Sequence, residues 1–405
     1  MIRSREGQHN HGLEIGLLIC ILGTQFSRIL IEWFKIQFEL TNPLYILGIL
    51  LLIDFTILSR WEIVISSSMR WILLFQGIVA FEAILYGKTA DNNFIFTLFV
   101  MAMIFGLSTQ IEPHIDEDFF IKSGWMLTGV GSVLLAVVIF QNSNGSFLDT
   151  RFMRLPMGGD RLTLSAIASA NMVFLLLYKA KTPLMRVIKI LFALSAIYDI
   201  LSCNRRGLMV SYLVILAVYL VKENGAGITK KKMLAAFAVV GGLAVIIMWI
   251  MRSDSDLALV LRRYIDSLGS ALQSYMGVNG VNDSGASRNN VLQTVPKEYL
   301  DSSMRVILFG NGPFYRQIDV PYLQAFTDLG AFMGVFYLGI QLILPLKLIL
   351  KRTENRVLMF AQLFEIQAIA LNIYSGTCYG HYKFAPLILL VFIDYIVGKG
   401  IDTGE

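Results

Sequence analysis

The sequence predicts an all-α polytopic membrane protein with about 12 transmembrane helices and one large late loop. Three observations predict it. Of the 405 residues, 56% are hydrophobic and only 16% are charged, whereas about a quarter of the residues of a soluble domain are charged. Apolar windows of roughly 17–25 residues, long enough to cross a bilayer, recur along the chain. One long polar interval, Arg252–Val320, interrupts them late in the sequence.

Nine predicted spans precede the polar interval and three follow it. They lie at 13–31, 43–59, 71–87, 94–110, 123–141, 162–178, 184–202, 206–222, 232–251, 320–346, 356–378 and 384–398. This order divides the chain into three regions, which are 1–251 with the first nine spans, 252–319 as the loop, and 320–405 with the last three. The polar start of the chain leads us to expect no cleavable signal peptide.

Lys and Arg are distributed unequally between alternate loops. The side that holds both termini carries 18 of them, and the short loops on the other side carry 8. Because cytoplasmic loops are enriched in Lys and Arg, we expect both termini in the cytoplasm and the large loop on the outer side. Since both termini lie on the same side in this arrangement, the distribution of Lys and Arg also favours an even number of spans.

Several classes of protein are disfavoured by composition and spacing. The three cysteines, Cys20, Cys203 and Cys378, lie far apart and outside any metal-type spacing, which is typical of small buried hydrophobes. The formal charge of +5 is spread over short loops, which suits anionic lipid and not nucleic acid. No internal repeat relates two halves of the chain, which weakens a transporter. We expect no metal and no cofactor.

Two adjacent arginines, Arg205 and Arg206, stand at a membrane boundary on the predicted outer side, followed by Gly207. Their side chains can snorkel to phospholipid headgroups. They can equally bind a phosphate ligand, since a guanidinium matches two phosphate oxygens and keeps its proton. The sequence leaves both interpretations open.

The polar interval contains three predicted parts. Leu257–Tyr275 has helical apolar spacing and reads as a helix lying on the bilayer surface, which would also form one wall of a lipid site. Gly277–Asn290 is rich in Gly, Asn and Ser and predicts a loop, and Asn289–Val295 predicts a short helix. The interval carries arginines with few acids nearby to neutralise them: Arg288, Arg305 and Arg316.

A glycine turn, Gly310-Asn311-Gly312, precedes the tenth predicted span, and Asp319 and Asp328 flank the start of that span. Asp328 falls within apolar sequence, where a charge costs roughly 2.5–3.5 kcal/mol unless it has a partner. We therefore expect an arginine of the loop, or of the Arg205-Arg206 pair, to neutralise it. The turn Ser375–Lys383 is predicted to line the same outer vestibule.

In this order the motifs resemble the bacterial O-antigen polymerase and ligase superfamily. Arg205-Arg206-Gly207 is similar to the family's Ser-Arg-Gly, and Arg288 and the Gly310-x-Gly312 turn are similar to its loop arginine and Gly-x-Gly. The Leu, acid and Gly of a following motif match in register, while the histidine of that motif is replaced. The positions concerned are Leu323, Asp328, Gly330 and, in the histidine's place, Asp319.

The resemblance implies a GT-C-like glycosyltransferase that polymerises oligosaccharide repeat units linked to undecaprenyl diphosphate. It implies Arg206 and Arg288 on the diphosphate and Asp319 as the base for the acceptor hydroxyl, with His381 as the runner-up base. Tyr275, Tyr315 and Tyr322 are candidates for stacking on sugars, although core packing explains them equally well. Further substrate contacts are expected from these residues: Arg205, Arg305, Arg316, Tyr322 and His381.

The resemblance also implies a bacterial inner membrane, an O-antigen or capsular-type product, and partners such as a flippase and a chain-length regulator. An O-antigen ligase acting on lipid A core is the close alternative, and it would be expected to keep the histidine that Asp319 replaces. A sugar or lipid transporter is the distant alternative. The residues do not specify which sugars are joined.

Overall fold

The computed structural model describes most of the helical chain. It covers residues 11–60, 62–111, 113–143, 166–202, 206–223, 283–374 and 376–402, with isolated positions between 155 and 266. At 206–210 and 283–289 the description is of the backbone alone. Within these ranges all regular structure is helical and no strand occurs.

The helices are numbered in chain order, with α12 and α13 joined by a π-helical turn, Gly339–Ile343. Their bounds are α1 Gly12–Phe34, α2 Thr41–Leu52, α3 Phe55–Leu58, α4 Ser67–Leu85, α5 Asn92–Ser108, α6 Glu117–Gln141, α7 Ala166–Leu177, α8 Pro183–Ser202, α9 Arg206–Glu223, α10 Asp283–Leu300, α11 Met304–Phe309, α12 Pro321–Leu338, α13 Leu344–Ile349, α14 Arg356–Tyr374 and α15 His381–Asp402.

Among the described residues, six helices are long and apolar enough to cross a membrane, as the predicted fold class requires. They are Gly12–Phe34, Ser67–Leu85, Glu117–Gln141, Pro321–Ile349, Arg356–Ile373 and His381–Lys399. Helices lie at eleven of the twelve predicted positions, but several are shorter than a full span. The ninth predicted span, 232–251, lies outside the described residues apart from one position. The count of twelve spans therefore stays a prediction.

Polar side chains fix where several helices begin. Asp54, Asp91 and Asp116 each accept a hydrogen bond from a backbone N–H in the first turn of the helix that follows. Ser66 and Ser303 do the same for α4 and α11. Such caps satisfy N–H groups that have no partner inside the helix. Asp54 thereby divides the second predicted span into α2 and α3.

One set of helix ends, called here the first face, is held together by contacts between polar side chains. The Lys351 ammonium lies 2.7 Å from the Asp394 carboxylate at the end of α15. Lys222, at the end of α9, donates to the Lys351 carbonyl at 2.7 Å. Asn355, before α14, donates to Glu117 at the start of α6 at 2.8 Å. The described ends of three loops predicted to be cytoplasmic, those after α9, before α6 and between α13 and α14, meet at this face.

The opposite helix ends form the second face. Gly312 lies against the ring of Tyr86 at the end of α4, and the N–H of Phe314 donates to the Tyr379 hydroxyl at 3.4 Å. Three of the loops predicted to be external meet here, those after α4, before α12 and between α14 and α15. For these described loops the arrangement agrees with the alternation expected from the charge count.

The helix α10 corrects two predictions for the polar interval. It begins at Asp283, so the prediction of a loop over Gly277–Asn290 is wrong from that residue onward, and the short helix Asn289–Val295 is part of a longer one. The reason is tertiary packing: Val295 is buried with residues of the segment before α12, Ile318 and Val320, and such packing overrides a weak local preference. The predicted surface helix Leu257–Tyr275 lies largely outside the described residues.

Candidate functional site

The glycine turn and the start of α12 pack directly against each other on the second face. Gly330 has a φ of 79° and breaks α12 into two parts. The N–H of Gly312 donates to the Asp328 carbonyl at 2.9 Å, and the N–H of Asn311 donates to the Thr327 carbonyl at 3.2 Å. A side chain at Gly310 would collide with the Asp328 carbonyl. The two motifs that carry the resemblance are therefore one structural unit.

The carboxylate of Asp328 lies at the centre of this unit and is fully buried. The Tyr379 hydroxyl donates to it at 3.0 Å, the Gln324 amide at 3.3 Å and the Thr327 hydroxyl at 3.5 Å. The backbone N–H of Arg316 also hydrogen-bonds to it. These five residues are called here the Asp328 cluster.

Among the described side chains no arginine neutralises Asp328, so the prediction is wrong for Arg305 and Arg316 and stays a prediction for Arg205, Arg206 and Arg288. The described groups that bond the carboxyl are neutral, and Arg316 contributes its backbone and not its guanidinium. The Arg316 guanidinium points elsewhere and lies 3.2 Å from the Glu298 carboxylate in an exposed ion pair. Several neutral donors can satisfy a buried carboxylate as well as one cation does, because each supplies a hydrogen bond to it.

The turn between α14 and α15 closes the Asp328 cluster from the other side. The N–H of Cys378 donates to the side-chain oxygen of Gln324 at 3.0 Å. The ring of Tyr379 packs edge-on against Phe314, with ring centres 4.5 Å apart. Burial raises the pKa of Tyr379 well above its usual range. The phenol therefore stays protonated and remains a hydrogen-bond donor across the whole physiological pH range.

Asp319, the predicted base, lies beside this cluster with its side chain exposed. Its neighbours Ile318 and Val320 are buried against Val295 of α10, so the segment is anchored while the carboxylate faces outward. The Asp319 carboxylate is close enough to interact electrostatically with the amine of Lys383, which is fully buried at the start of α15. The second face thus brings together an accessible carboxylate and a buried amine.

The arginines predicted to bind diphosphate are only partly described. Arg205 lies outside the described residues, and Arg206 and Arg288 are described by their backbones alone. Arg206 is the first residue of α9, whose other end is at the first face. With 18 residues, α9 is about 27 Å long, so it begins at the second face. Arg288 occupies the register position one turn before Val291 on α10.

The remaining predicted residues lie in varied surroundings. Arg305 is exposed on α11. Tyr322 is half-buried, its hydroxyl donates to the Gln341 carbonyl at 3.2 Å, and its ring meets Tyr337. Tyr315 is 60% exposed on the loop, and Tyr275 lies outside the described residues. Of the candidate tyrosines that are described, Tyr315 is the accessible one.

His381, the runner-up base, is buried in a different part of the second face. Its Nε2 lies 2.8 Å from the hydroxyl of Thr24 on α1. Its ring packs against Tyr45 of α2 and Phe96 of α5, with ring centres 5.0 and 4.6 Å apart. Lys383, two residues along α15, projects about 200° away around the helix axis. The histidine and Asp319 are therefore not brought together.

Lys383 and Tyr379 belong to the turn Ser375–Lys383 that was predicted to line the outer vestibule, although no role was assigned to either residue, and Gln324 was not predicted. Lys383 was expected just before the last span, whereas the last helix begins at His381 and contains it; a lysine within an apolar helix is costly and marks a functional or paired position. Gln324 carried no signal of its own. The positions of Tyr379 and Gln324 follow from the packing of the α14–α15 turn onto α12.

The resemblance to the O-antigen polymerases and ligases depends on a few short motifs in a long apolar chain. Apolar residues of similar size replace one another at small cost, so such a chain can lose overall similarity while keeping those motifs. No model of a known protein family matches this chain, and no curated protein is significantly similar to it in sequence.

Proposed function

We propose that the protein is a polysaccharide polymerase, a glycosyltransferase that joins oligosaccharide repeat units carried on a lipid diphosphate. In this proposal twelve spans cross a bacterial inner membrane, both termini are cytoplasmic, and the second face is periplasmic. The lipid carrier is undecaprenyl diphosphate, and the product is an O-antigen or capsular-type polysaccharide.

One observation carries the proposal, which is the packing of the two motifs beside Asp319. The Gly310–Gly312 turn and the Asp328–Gly330 segment are hydrogen-bonded to each other through their backbones. Two motifs that act in one site must lie together, and this contact meets that requirement. Their union places Asp319 at the surface of the second face, where a lipid-linked substrate can arrive sideways from the bilayer.

The reaction transfers a sugar between two oxygens. The bond between the reducing-end carbon of the growing glycan and its diphosphate oxygen breaks, and its electron pair leaves with the diphosphate. A bond forms between that carbon and a hydroxyl of the incoming repeat unit, whose proton passes to Asp319. Because the leaving group is already an anion, the protein has mainly to position and stabilise it.

The guanidiniums of Arg206 and Arg288 are assigned to the diphosphate. Hydrogen bonds to charged groups contribute about 1.5–3 kcal/mol each. The backbone supports this assignment in part: α9 begins at Arg206 on the second face, and α10 packs on α11 and α12 next to Asp319. The buried amine of Lys383 lies within electrostatic range of Asp319.

A first experiment incubates the purified protein with one defined lipid-linked repeat unit and resolves the products on a gel. We expect a ladder of longer glycans from the wild type and none from Arg206→Ala or Arg288→Ala. Arg352→Ala is the matched control, since Arg352 is exposed on the first face. An unchanged ladder from both second-face variants would remove these arginines from the site.

A second experiment tests the base. We expect Asp319→Asn to lower kcat by roughly 10²–10⁴-fold while changing KM only a few-fold, because the amide cannot take the proton but fits the same space. Steady-state rates on the same lipid-linked substrate measure this. Full activity of the variant would assign the proton transfer to another group.

The two alternatives predict different products in cells that lack the protein. Loss of a polymerase leaves single repeat units attached to the surface, whereas loss of a ligase leaves long chains on the lipid carrier and none on the surface. Loss of a transporter leaves neither polymer nor lipid-linked repeat on the outer side. Asp319 in the histidine position favours the polymerase over the ligase.

A further inference from the structure

A second group of polar side chains lies deep within the helices, away from the candidate site. Glu365 is the tenth residue of α14, which has 19 residues, and is fully buried. Neither of its carboxyl oxygens is hydrogen-bonded to any described residue. Since α14 is long and apolar enough to cross a membrane, Glu365 lies near the middle of the bilayer.

The helices around Glu365 present a hydrogen-bonded chain of neutral side chains. The Tyr337 hydroxyl donates to Asn372 at 2.7 Å, and the Asn372 amide donates to the side-chain oxygen of Gln341 at 2.9 Å. The Tyr322 hydroxyl donates to the Gln341 carbonyl at 3.2 Å. The amide nitrogen of Gln341 is buried and has no hydrogen-bond partner among the described residues.

These polar groups begin at the second face, where Tyr322 joins them through the backbone carbonyl of Gln341, and none of them bonds Glu365. Tyr322 lies in the first turn of α12, three residues after Asp319. Gln341 belongs to the π-helical turn Gly339–Ile343, a local widening of the helix that is often found at functional sites. The turn packs on α14. A polar path therefore enters an otherwise apolar region and approaches an unpartnered acid.

The charged and titratable groups near Glu365 are few. From α12, the phenols of Tyr322 and Tyr337 are within its electrostatic range. On α9, Lys222 bonds Gln362, one turn from Glu365 towards the first face. No other titratable group of the described helices packed on α14, which are α6, α7, α13 and α15, is near enough to affect the carboxyl. No described cation neutralises it.

An ionised carboxylate in this position is strongly disfavoured. Removing the charge from water has a large penalty, and only a paired cation or several hydrogen bonds offset it. Glu365 has neither among the described residues, so its stable form is the neutral acid. We propose that Glu365 is a proton-binding site in the membrane core, exchanging its proton with the second face along the path from Tyr322. Glycosyl transfer needs no proton at this depth, so the inference is independent of the proposed function.

The probe is a hydrophobic carbodiimide, which enters the bilayer and reacts with protonated carboxyl groups. The proton transfers to the reagent, the carboxylate adds to its central carbon, and rearrangement leaves a stable N-acylurea. The full-length protein in detergent or vesicles is treated at several pH values, and mass spectrometry of its peptides gives the labelling rate of each acid. Asp394 is the internal control, because it is ion-paired to Lys351.

We expect Glu365 to label on the order of tenfold or more faster than Asp394 at neutral pH, and its rate to fall as the pH is raised. Glu365→Gln should lose this label and keep the melting temperature of the wild type, since the amide resembles the neutral acid. Absence of label at Glu365 in the folded protein, with label appearing on denaturation, would overturn the proposal. Protection by sodium at constant pH would also overturn it, in favour of a metal cation site. A marked loss of stability in Glu365→Gln would show that the charged form is required, and it would also overturn the proposal.

Discussion

The first-face ion pairs and the Asp328 cluster hold their carboxyl groups in opposite ways. At the first face, Arg356 meets Glu117 and Lys351 meets Asp394, with Arg356 31% exposed and Lys351 47% exposed. In the Asp328 cluster, a fully buried carboxylate is held by neutral donors. Both regions join elements that are far apart in the sequence, but one uses solvated cations and the other uses hydrogen bonds away from water.

This difference in exposure determines whether a single residue contributes much or little to stability. Exposed ion pairs contribute about 0–1 kcal/mol, because water already stabilises each partner. A buried polar group that loses its partner costs about 1–3 kcal/mol, because water does not replace the bond. We therefore expect the second face to be sensitive to small changes and the first face to tolerate them. The predictions below test this contrast, in order of decreasing effect.

The largest effect is expected from Gly310→Ala. Gly310 has a φ of 76°, which disfavours any other residue, and the added methyl would collide with the Asp328 carbonyl. Neither backbone can move without breaking the hydrogen bonds between the turn and α12. We expect a loss of about 4 kcal/mol in unfolding free energy, at the upper end of point-mutant effects. Thermal unfolding of the detergent-purified protein measures it.

Gly339→Ala is the matched control for this change. Gly339 has a helical φ of −56°, and a methyl group there would meet nothing within 4 Å. We expect the melting temperature to stay the same or rise slightly, since alanine is favoured over glycine in helices by about 0.5–1 kcal/mol. Equal losses for the two variants would show that the contact between the motifs does not matter.

The next effect is expected within the Asp328 cluster. Asp328→Ala leaves the Tyr379 hydroxyl and the Arg316 N–H without their acceptor, and we expect a loss of about 3 kcal/mol from the unsatisfied donors. Tyr379→Phe removes one donor to Asp328 and the acceptor of a long bond from the Phe314 N–H, and it leaves the other donors in place, so about 1 kcal/mol is expected. Melting temperatures of the two variants give the ranking. A larger loss for Tyr379→Phe would mean that the phenol, and not the carboxylate, organises the cluster.

The positions of the helices could largely be predicted because their cause is local. A membrane span needs a run of apolar residues, and each such run is visible in one stretch of sequence. The first predicted span, 13–31, and α1 at Gly12–Phe34 agree for this reason. The lengths were less predictable, since Asp54 caps a new helix within the second predicted span. The start of α10 was missed because burial of Val295 decides it, and that packing is not local.

The candidate site could be predicted only in part. Asp328 was identified as a costly charge, which follows from one residue and its apolar neighbours. Its partners were not identified: the turn Ser375–Lys383 was expected to lie near the loop, but nothing in a single sequence pairs Tyr379, 51 residues away, with this carboxyl. An arginine was expected because only charge was considered. Among the described residues, several neutral donors converge on the Asp328 carboxyl group.

The smallest effect is expected at the first face, from Arg356→Ala. Its Nε lies 3.4 Å from Glu117, but Glu117 also accepts from the Asn355 side chain at 2.8 Å and from the backbone N–H of residue 356 at 3.0 Å. Alanine keeps the last two bonds and loses the guanidinium contacts to Glu117 and to Asp118, the latter at 2.5 Å. Because these are exposed pairs, we expect a loss of less than about 1 kcal/mol. Salt screens exposed pairs, so the difference between the variant and the wild type should shrink further in high salt. A loss as large as that of Asp328→Ala, or one that salt leaves unchanged, would remove the contrast between the two faces.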